Sequence, residues 1–528
     1  MRIVMVNWSR IWDGTRHGGG VGGYMLGLAR VLRDQGHDVI ALQSGLEEVP
    51  SVDPNTLRPS PGPVEVRRHW DFEGIRCFEV VNSPVLAPGR YQNRQPLNEI
   101  ASAELDRELT RFASLIKPDV IHLHNIEGLT ASAVCALRQG CGSRIVYSVH
   151  NYHTVCPQIY LMKDGATPCH DSQGGAACVS CVSCPGVSED PDKEWHRRWT
   201  GAMQRLNVPI GPPLMPTVEG RLPDAYEPAQ SSHDVERAMP LDGTDIRGIF
   251  KRPGLLMEEY RVSRDGMDNT IRPEPHAATL TPFGERRKAM IAMLNECDRV
   301  LAVSSFVQRR MTTLGVRASV IKTMTIGTQA GSDSNSAKVT QPTSQRSDGT
   351  LRVCFLGFNH IYKGLHVLLD AIESMPTDLA ARVDLSLFVG EIWRSGAQLT
   401  RIRSRVRSMT TLDGYQPHEL STLLHGVQVG VVPSIWWDNG PQTVMEFLAH
   451  GIPVVGANIG GIPDFIEHGR NGLLFHANDR ADLARTLSDL VRDPAKVESL
   501  RSSVTPPKNM DKHARELIAE YAALGAKA

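Results

Sequence analysis

Two carboxylates with seven residues between them, Asp438 and Glu446, are the side chains of this sequence best placed to do chemistry. The apolar, β-branched run at residues 429–434 just before them predicts a buried parallel strand. A turn containing Gly440 and Pro441 follows, and proline suits the first position of a helix, which TVMEFLAH would continue. Both acids should therefore face one crevice beside the start of a helix.

The start of this predicted helix has the chemistry of a phosphate site. The amides of Gln442, Thr443 and Val444 should lack partners within the helix and lie at the positive end of its dipole, where a diphosphate would satisfy them. Paired carboxylates bind the vicinal hydroxyls of a sugar well. The segment therefore points to a sugar nucleotide, and a plain strand, turn and helix with two solvated acids is the open alternative.

Three other segments carry residues suited to the same kind of ligand. Gly19 and Gly20, in HGGGVGGY, are expected between a strand and a helix, where a ligand can approach the backbone, although simple turn formation also explains them. Lys363, in GFNHIYKG, is expected at a helix start, where its ammonium would neutralise a departing diphosphate; a solvated lysine is the alternative. His150 ends the strand RIVYSVH, and a lone histidine there is more often structural.

The order of these parts resembles that of retaining GT-B glycosyltransferases of family 4. In that family the acid-x7-acid element is followed by segments similar to GIPVV and GG-x-P, found here at 451–455 and 460–463. The resemblance implies that Asp438 contacts hydroxyls of the donor sugar and that Glu446 contacts the ribose. It also implies that His150 binds the transferred sugar and assists the transfer.

The same resemblance assigns two backbone contacts. The loop at Gly19 and Gly20 would lie beside the donor diphosphate, and the backbone near Gly414 and Tyr415, in DGYQPHEL, would meet the nucleotide base. Recognition by backbone leaves little signature in the side chains, so the identity of the base is not readable.

This chain departs from the family pattern at two positions. Asp438 stands where the family has glutamate, which shortens the side chain by one methylene, and Phe358 stands where an arginine usually accompanies Lys363. Lys363 would then need backbone dipoles or a second cation, for which Arg352 and Arg394 are candidates.

The cysteines are unevenly spread, and five of the ten fall within one short segment. Cys178, Cys181 and Cys184 have the spacing of metal ligands, and Cys169, or alternatively Cys156, would supply a fourth thiolate for a structural zinc ion. An iron–sulfur cluster is a weaker interpretation, and unligated thiols are nearly as well supported as zinc.

Alternating strands and helices predict an α/β protein with two doubly wound, Rossmann-like domains facing a cleft, and the family resemblance makes this the GT-B fold. The first domain is predicted at 1–330, with an insertion at about 185–283. A linker at 331–349 leads to the nucleotide-sugar-binding domain at 350–508, and a crossover helix occupies 509–528.

Composition limits the partners. The 528 residues carry a net charge of −1, and the absence of a long basic run argues against nucleic acid. The sequence has neither a signal peptide pattern nor a run near the roughly 18 apolar residues of a membrane span. A cytoplasmic protein is expected, and peripheral contact with the inner membrane face stays open.

The leading hypothesis is a retaining glycosyltransferase of polysaccharide or glycoconjugate biosynthesis that needs no cofactor for catalysis. It would move a sugar from a nucleotide-sugar donor to a glycan, a lipid-linked acceptor or a small molecule. The alternatives are a sugar-nucleotide epimerase or phosphorylase on the same fold, and a non-catalytic scaffold that binds sugar nucleotides.

Overall fold

The computed structural model describes most of the chain outside the region around 185–266. The described residues are 1–46, 50–52, 59–87, 95–182, 267–275, 277–330 and 349–526. Most of the expected insertion, nearly all of the expected linker and Cys184 lie outside these ranges. The described residues contain no helix with the length and hydrophobicity needed to span a lipid bilayer.

Strands alternate with helices along both halves of the chain. The strands are β1 (Arg2–Val6), β2 (Asp38–Ser44), β3 (Pro50–Val52), β4 (Pro59–Pro61), β5 (Glu65–Arg68), β6 (Arg76–Val81), β7 (Val120–Leu123), β8 (Arg144–Val149), β9 (Met162–Lys163), β10 (Thr167–Pro168), β11 (Arg299–Ala302), β12 (Ile321–Thr323), β13 (Leu351–Phe358), β14 (Val383–Gly390), β15 (Ser408–Leu412), β16 (Val429–Val432), β17 (Val454–Ala457) and β18 (Gly472–Phe475). The α-helices are Gly14–Asp34, Ala103–Ile116, Ala133–Cys141, Ala176–Cys181, Pro282–Glu296, Ser305–Thr313, Leu365–Ser374, Thr377–Ala380, Gly396–Arg403, Leu420–Leu423, Gln442–Ala449, Arg480–Arg492, Pro494–Ser502 and Met510–Ala523.

Two sheets organise the described residues. The first has the order β12-β11-β8-β7-β1-β2-β6-β5 and is parallel except for the edge strand β5, which runs antiparallel to β6. The second has the order β15-β14-β13-β16-β17-β18 and is parallel throughout. Central strands such as β1 and β16 are continuous apolar runs because helices cover both faces of a parallel sheet. The predicted α/β class with two doubly wound domains is confirmed.

The glycine-rich segment differs from its prediction as a loop. The helix Gly14–Asp34 runs through it, with a kink at Gly19, where φ is 59° and ψ is −154°. Beyond the kink, Tyr24, Met25 and Leu28 are buried on one side of the helix. Because these side chains pack into the core at helical spacing, the backbone is already helical at Gly20.

The last helix, Met510–Ala523, packs against the first domain. His513 Nε2 lies 2.7 Å from Tyr24 Oη, and His122 Nδ1 lies 2.6 Å from Tyr521 Oη. The chain thus ends on the domain where it began, and the end of the second domain is anchored to the first sheet.

Lys363 is followed by a glycine that the fold requires. Gly364 has a φ of +74°, and a Cβ built there would overlap the carbonyl oxygen of Pro433. The turn Ile361–Lys363 therefore packs directly on the backbone that leaves β16. This contact fixes the position of the Lys363 backbone, from which the side chain extends.

Replacing Gly364 by alanine should destabilise the protein more than the same change at Gly142. Gly142 has a similar φ of +67°, but no atom of the described residues lies within 4 Å of a built Cβ. Alanine at Gly142 therefore reports only the cost of the left-handed conformation, about 1 kcal/mol. Gly364→Ala adds displacement of Pro433 and should lower the free energy of unfolding by clearly more, measured by denaturant titration. Equal losses for the two variants would contradict the close contact.

Candidate active site

Asp438 lies just beyond β16 and forms an ion pair with Lys363. It is 5 % exposed, and its Oδ2 accepts a hydrogen bond from Lys363 Nζ at 2.8 Å. Ser434 Oγ donates to the same oxygen at 3.4 Å, and Lys363 Nζ lies 5.7 Å from the centre of the Trp436 ring. The structure therefore brings together the acid and the cation that the sequence analysis predicts as partners in one site.

The GG-x-P segment holds the backbone of Asp438. A Cβ built on Gly460 would lie 2.5 Å from both the nitrogen and the carbonyl oxygen of Asp438. The amide of Gly461 donates to that carbonyl oxygen at 2.7 Å, and Asn269 exchanges hydrogen bonds with the backbone of Gly460 at 2.6 and 3.1 Å. A larger residue at Gly460 would displace the acid.

The helix beside Asp438 begins at Gln442 rather than at Pro441, whose ψ of 122° is extended. The Val444 amide donates to the Pro441 carbonyl oxygen at 3.2 Å, so the expectation that it is left for phosphate is wrong. The reason is that the extended Pro441 turns its carbonyl into the first turn. The amides of Gln442 and Thr443 remain the candidates for a diphosphate.

Glu446 lies one turn further along this helix, facing the loop after β15. Tyr415 Oη donates to Glu446 Oε2 at 3.0 Å, and Gly414 precedes it in the same loop. Burial raises the pKa of Glu446 to about 7, and the hydrogen bond from Tyr415 opposes that shift. The carboxyl group is therefore close to half protonated at neutral pH in the free protein.

His150 follows β8 directly and faces the same region from the first domain. Burial lowers the pKa of His150 to about 3, so its imidazole is neutral. The neighbouring Val149 carbonyl oxygen accepts from Asn439 Nδ2 at 3.4 Å. The end of β8 and the residue that follows Asp438 are therefore in contact across the cleft.

A second contact across the cleft involves the glycine segment. Gln442 Nε2 donates to the carbonyl oxygen of Gly20 at 2.6 Å. A Cβ built on Gly440 would lie 3.5 Å from the side chain of Val303, which follows β11. The residues expected to bind a donor are thus distributed over both walls of one interdomain cleft.

The two arginines proposed to replace the missing family cation lie at different ends of the second sheet. Arg352 is at the opposite end of β13, where its guanidinium donates to the Gly426 carbonyl oxygen at 3.0 Å. Arg394 pairs with Glu391 at 3.0 Å and lies 5.3 Å from the Trp393 ring. The expectation for Arg352 is wrong, because its guanidinium is bound at the far end of the strand. The role of Arg394 stays a prediction.

Several residues of the cleft were not predicted from the sequence. Asn439 is 2 % exposed, and its Oδ1 has no hydrogen-bond partner among the described residues. Tyr160 lies 5.0 Å from Trp436 and 5.1 Å from His360, measured between ring centres, and so joins the cysteine segment to the second domain. The only available signal was the position of Asn439 next to an already suspected acid.

Four of the cysteines line one small cavity. Cys156, Cys169, Cys178 and Cys181 surround a cavity of about 10 Å³ together with Arg287. Burial raises the pKa of Cys169 to about 12 and that of Cys178 to about 11, so these thiols are protonated as they stand. Within the described ranges, no group of three or more His, Cys, Asp or Glu side chains is arranged to hold a metal ion.

Family models match both domains. Residues 19–222 match the glycosyl transferase 4-like domain, and residues 350–493 match glycosyl transferases group 1. The putative colanic acid biosynthesis glycosyltransferase WcaL of Salmonella typhimurium is 31% identical over 136 residues, which are 25% of this chain and 33% of that protein. The match therefore spans about a third of the length of this curated relative.

Solved structures resemble the chain over almost its whole length. HepE of Anabaena gives a TM-score of 0.50 at 14% identity and covers 99% of this chain and 100% of its own. The sucrose-phosphate synthase of Thermosynechococcus elongatus gives a TM-score of 0.56 at 15% identity, with 100% of both chains covered. The chain therefore has the GT-B fold and carries two domains of the glycosyltransferase type, a glycosyl transferase 4-like domain and a glycosyl transferases group 1 domain.

Proposed function

We propose that this protein is a retaining glycosyltransferase that moves a sugar from a nucleotide-sugar donor to a glycan, lipid-linked or small-molecule acceptor. The observation that carries the proposal is the meeting of Asp438, Lys363 and the start of the helix Gln442–Ala449 in a cleft whose other wall holds His150. HepE of Anabaena was solved in complex with UDP and glucose, which supports a nucleotide-sugar donor on this fold.

The proposed roles follow from charge and position. Breaking the bond between the anomeric carbon and the donor phosphate builds negative charge on the leaving oxygen, which Lys363 Nζ and the amides of Gln442 and Thr443 would stabilise. Asp438 would accept hydrogen bonds from hydroxyls of the transferred sugar, and Glu446 from the ribose. The loop at Gly414 and Tyr415 would meet the base.

The acceptor reacts on the face from which the phosphate departs. The acceptor hydroxyl oxygen forms the new bond to the anomeric carbon while its proton passes to the leaving phosphate oxygen, so no separate strong base is required. The neutral imidazole of His150 would hydrogen-bond to the sugar at the reacting end. In this scheme the ammonium of Lys363 supplies the positive charge, and catalysis needs no cofactor.

A non-catalytic sugar-nucleotide binder is the second candidate. Phe358 is 51 % exposed beside the cleft at the position where family members have a cation, which removes one charge from the leaving-group site. Binding of a nucleotide sugar without turnover in the presence of acceptors would favour this alternative, and an epimerised nucleotide sugar would favour an epimerase.

Asp438→Asn should reduce donor turnover about 100-fold, because it removes the charge that holds Lys363 and accepts from the sugar hydroxyls. Glu446→Gln should mainly raise the donor KM. The measurement is nucleotide release from a panel of UDP-, GDP- and ADP-sugars with candidate acceptors, with the anomeric configuration of the product read by NMR. Asp489→Asn, an exposed residue paired with Arg492, is the matched control. Full activity in both site variants would overturn the assignment.

Donor affinity should rise by about tenfold between pH 6 and pH 8. The pKa of Glu446 is raised to about 7 in the free protein, and hydrogen bonds donated by ribose favour the ionised carboxylate, so binding releases a proton below that pH. Calorimetry with an intact nucleotide sugar measures both the affinity and the released proton. The Glu446→Gln variant should lose this pH dependence, and an equal dependence in both proteins would contradict the role of Glu446.

A structural zinc ion at the cysteine segment is a separate proposal. It is supported by the spacing of Cys178, Cys181 and Cys184 and by the cavity that Cys169 and Cys156 share with the first two. Binding would require the raised thiol pKa values to be overcome, with protons released to solvent. One zinc per chain in purified protein, lost on changing Cys178 to serine but kept on changing Cys354, is expected. A folded, metal-free protein would end the proposal.

A further inference from the structure

A column of three imidazoles leads from the last helix to the cleft. The ring centres of His122 and His124 are 4.0 Å apart, and those of His124 and His150 are 5.5 Å apart. His122 is held at both nitrogens, with Nδ1 2.6 Å from Tyr521 Oη and Nε2 2.8 Å from Ser148 Oγ. His122, at the lower end of the column beside the last helix, is therefore fixed in orientation. Of the three, only His150, at the upper end beside the cleft, is partly exposed.

The hydrogen bond at the upper end joins His124 to the proposed sugar-binding residue. His124 Nδ1 lies 3.3 Å from His150 Nε2, and it is the one side-chain hydrogen bond of His150 among the described residues. Burial keeps the pKa of both imidazoles below the ordinary value, so both rings are neutral and one of the two facing nitrogens supplies the hydrogen. The contact therefore decides whether Nδ1 of His150 is a donor or an acceptor towards the cleft.

The other groups around this histidine pair do not set the tautomer of His150. Tyr24 packs its ring 4.9 Å from His150 and 5.6 Å from His124, while its hydroxyl lies 2.7 Å from His513 Nε2. Because the Tyr24 hydroxyl is directed to His513, the tyrosine restricts the rotation of His150 without bonding to its nitrogens. His124 Nε2 has no hydrogen-bond partner among the described residues.

We propose that His124 is a positioning residue for the glycosyl transfer: its hydrogen bond fixes the tautomer and ring orientation in which His150 meets an oxygen of the transferred sugar or acceptor. This inference rests on the proposed function, and specifically on the role of His150. A histidine that served only to fill the core would tolerate any side chain of similar volume, whereas a positioning residue requires a hydrogen-bonding group at the place of Nδ1.

Three substitutions at His124 separate these readings. The amide of asparagine can occupy the place of Nδ1, that of glutamine reaches only the place of Nε2, and phenylalanine keeps the ring without a hydrogen bond. His124→Asn should retain most of the kcat, while His124→Gln and His124→Phe should each lose about 100-fold in kcat with little change in donor KM. Tyr521→Phe is the control, because it removes the hydroxyl bonded to His122 and should lower Tm without changing kcat.

The outcomes distinguish failure of this inference from failure of the proposed function. If the wild-type protein transfers no sugar from any nucleotide-sugar donor, the proposed function itself fails. Full activity of His150→Ala would leave that function standing but would remove the role of His150, and with it this inference. Loss of activity in His150→Ala, combined with equal kcat values for the asparagine, glutamine and phenylalanine variants at 124, would overturn the positioning role alone. A second measurement needs no variant at 124: nitrogen-15 NMR of the wild-type protein should find His150 in a single tautomer between pH 6 and 8, and a mixture of tautomers would also overturn the proposal.

Discussion

The rest of the candidate site depends on the ion pair between Lys363 and Asp438. Its carboxylate is 5 % exposed, and an unpaired charge at that depth would cost several kcal/mol. Gly364 allows the lysine turn to lie against the strand that precedes Asp438, and Gly460 allows a second backbone to lie against Asp438 itself. In the proposed function, a bound donor leaves neither charge unpaired, because its phosphate would contact Lys363 and its sugar hydroxyls would contact Asp438.

The candidate site requires both domains, because residues of the two domains contact each other across the cleft. Asn439 donates to the backbone just before His150, and Gln442 donates to the backbone of Gly20. The last helix adds a hydrogen bond to Tyr24, which packs on His150. A change in the angle between the domains would therefore move His150 relative to the amides proposed to bind phosphate. On the proposed function, donor binding should be sensitive to anything that opens the cleft.

Local sequence patterns predicted what depends on neighbours along the chain. The apolar strand before Asp438, the helix carrying Glu446 and the lysine–glycine turn are all of this kind. Features that depend on contacts between segments distant in the sequence were missed or wrongly predicted. The predicted glycine loop is a kinked helix because core packing extends into it. The Val444 amide is taken by the carbonyl of an extended proline, and the contact between His124 and His150 depends on the register of two parallel strands.

The most direct test of the account is the contribution of the diphosphate to binding. The measurement compares, by calorimetry, the affinities of a nucleoside diphosphate and of the corresponding nucleoside for the wild-type protein and for Lys363→Met. If Lys363 and the neighbouring helix start form the diphosphate site, the wild type should bind the diphosphate far more tightly than the nucleoside, and most of this difference should disappear in the variant. If the diphosphate and the nucleoside differ in affinity by the same factor in both proteins, Lys363 does not form the diphosphate site, and the account is contradicted.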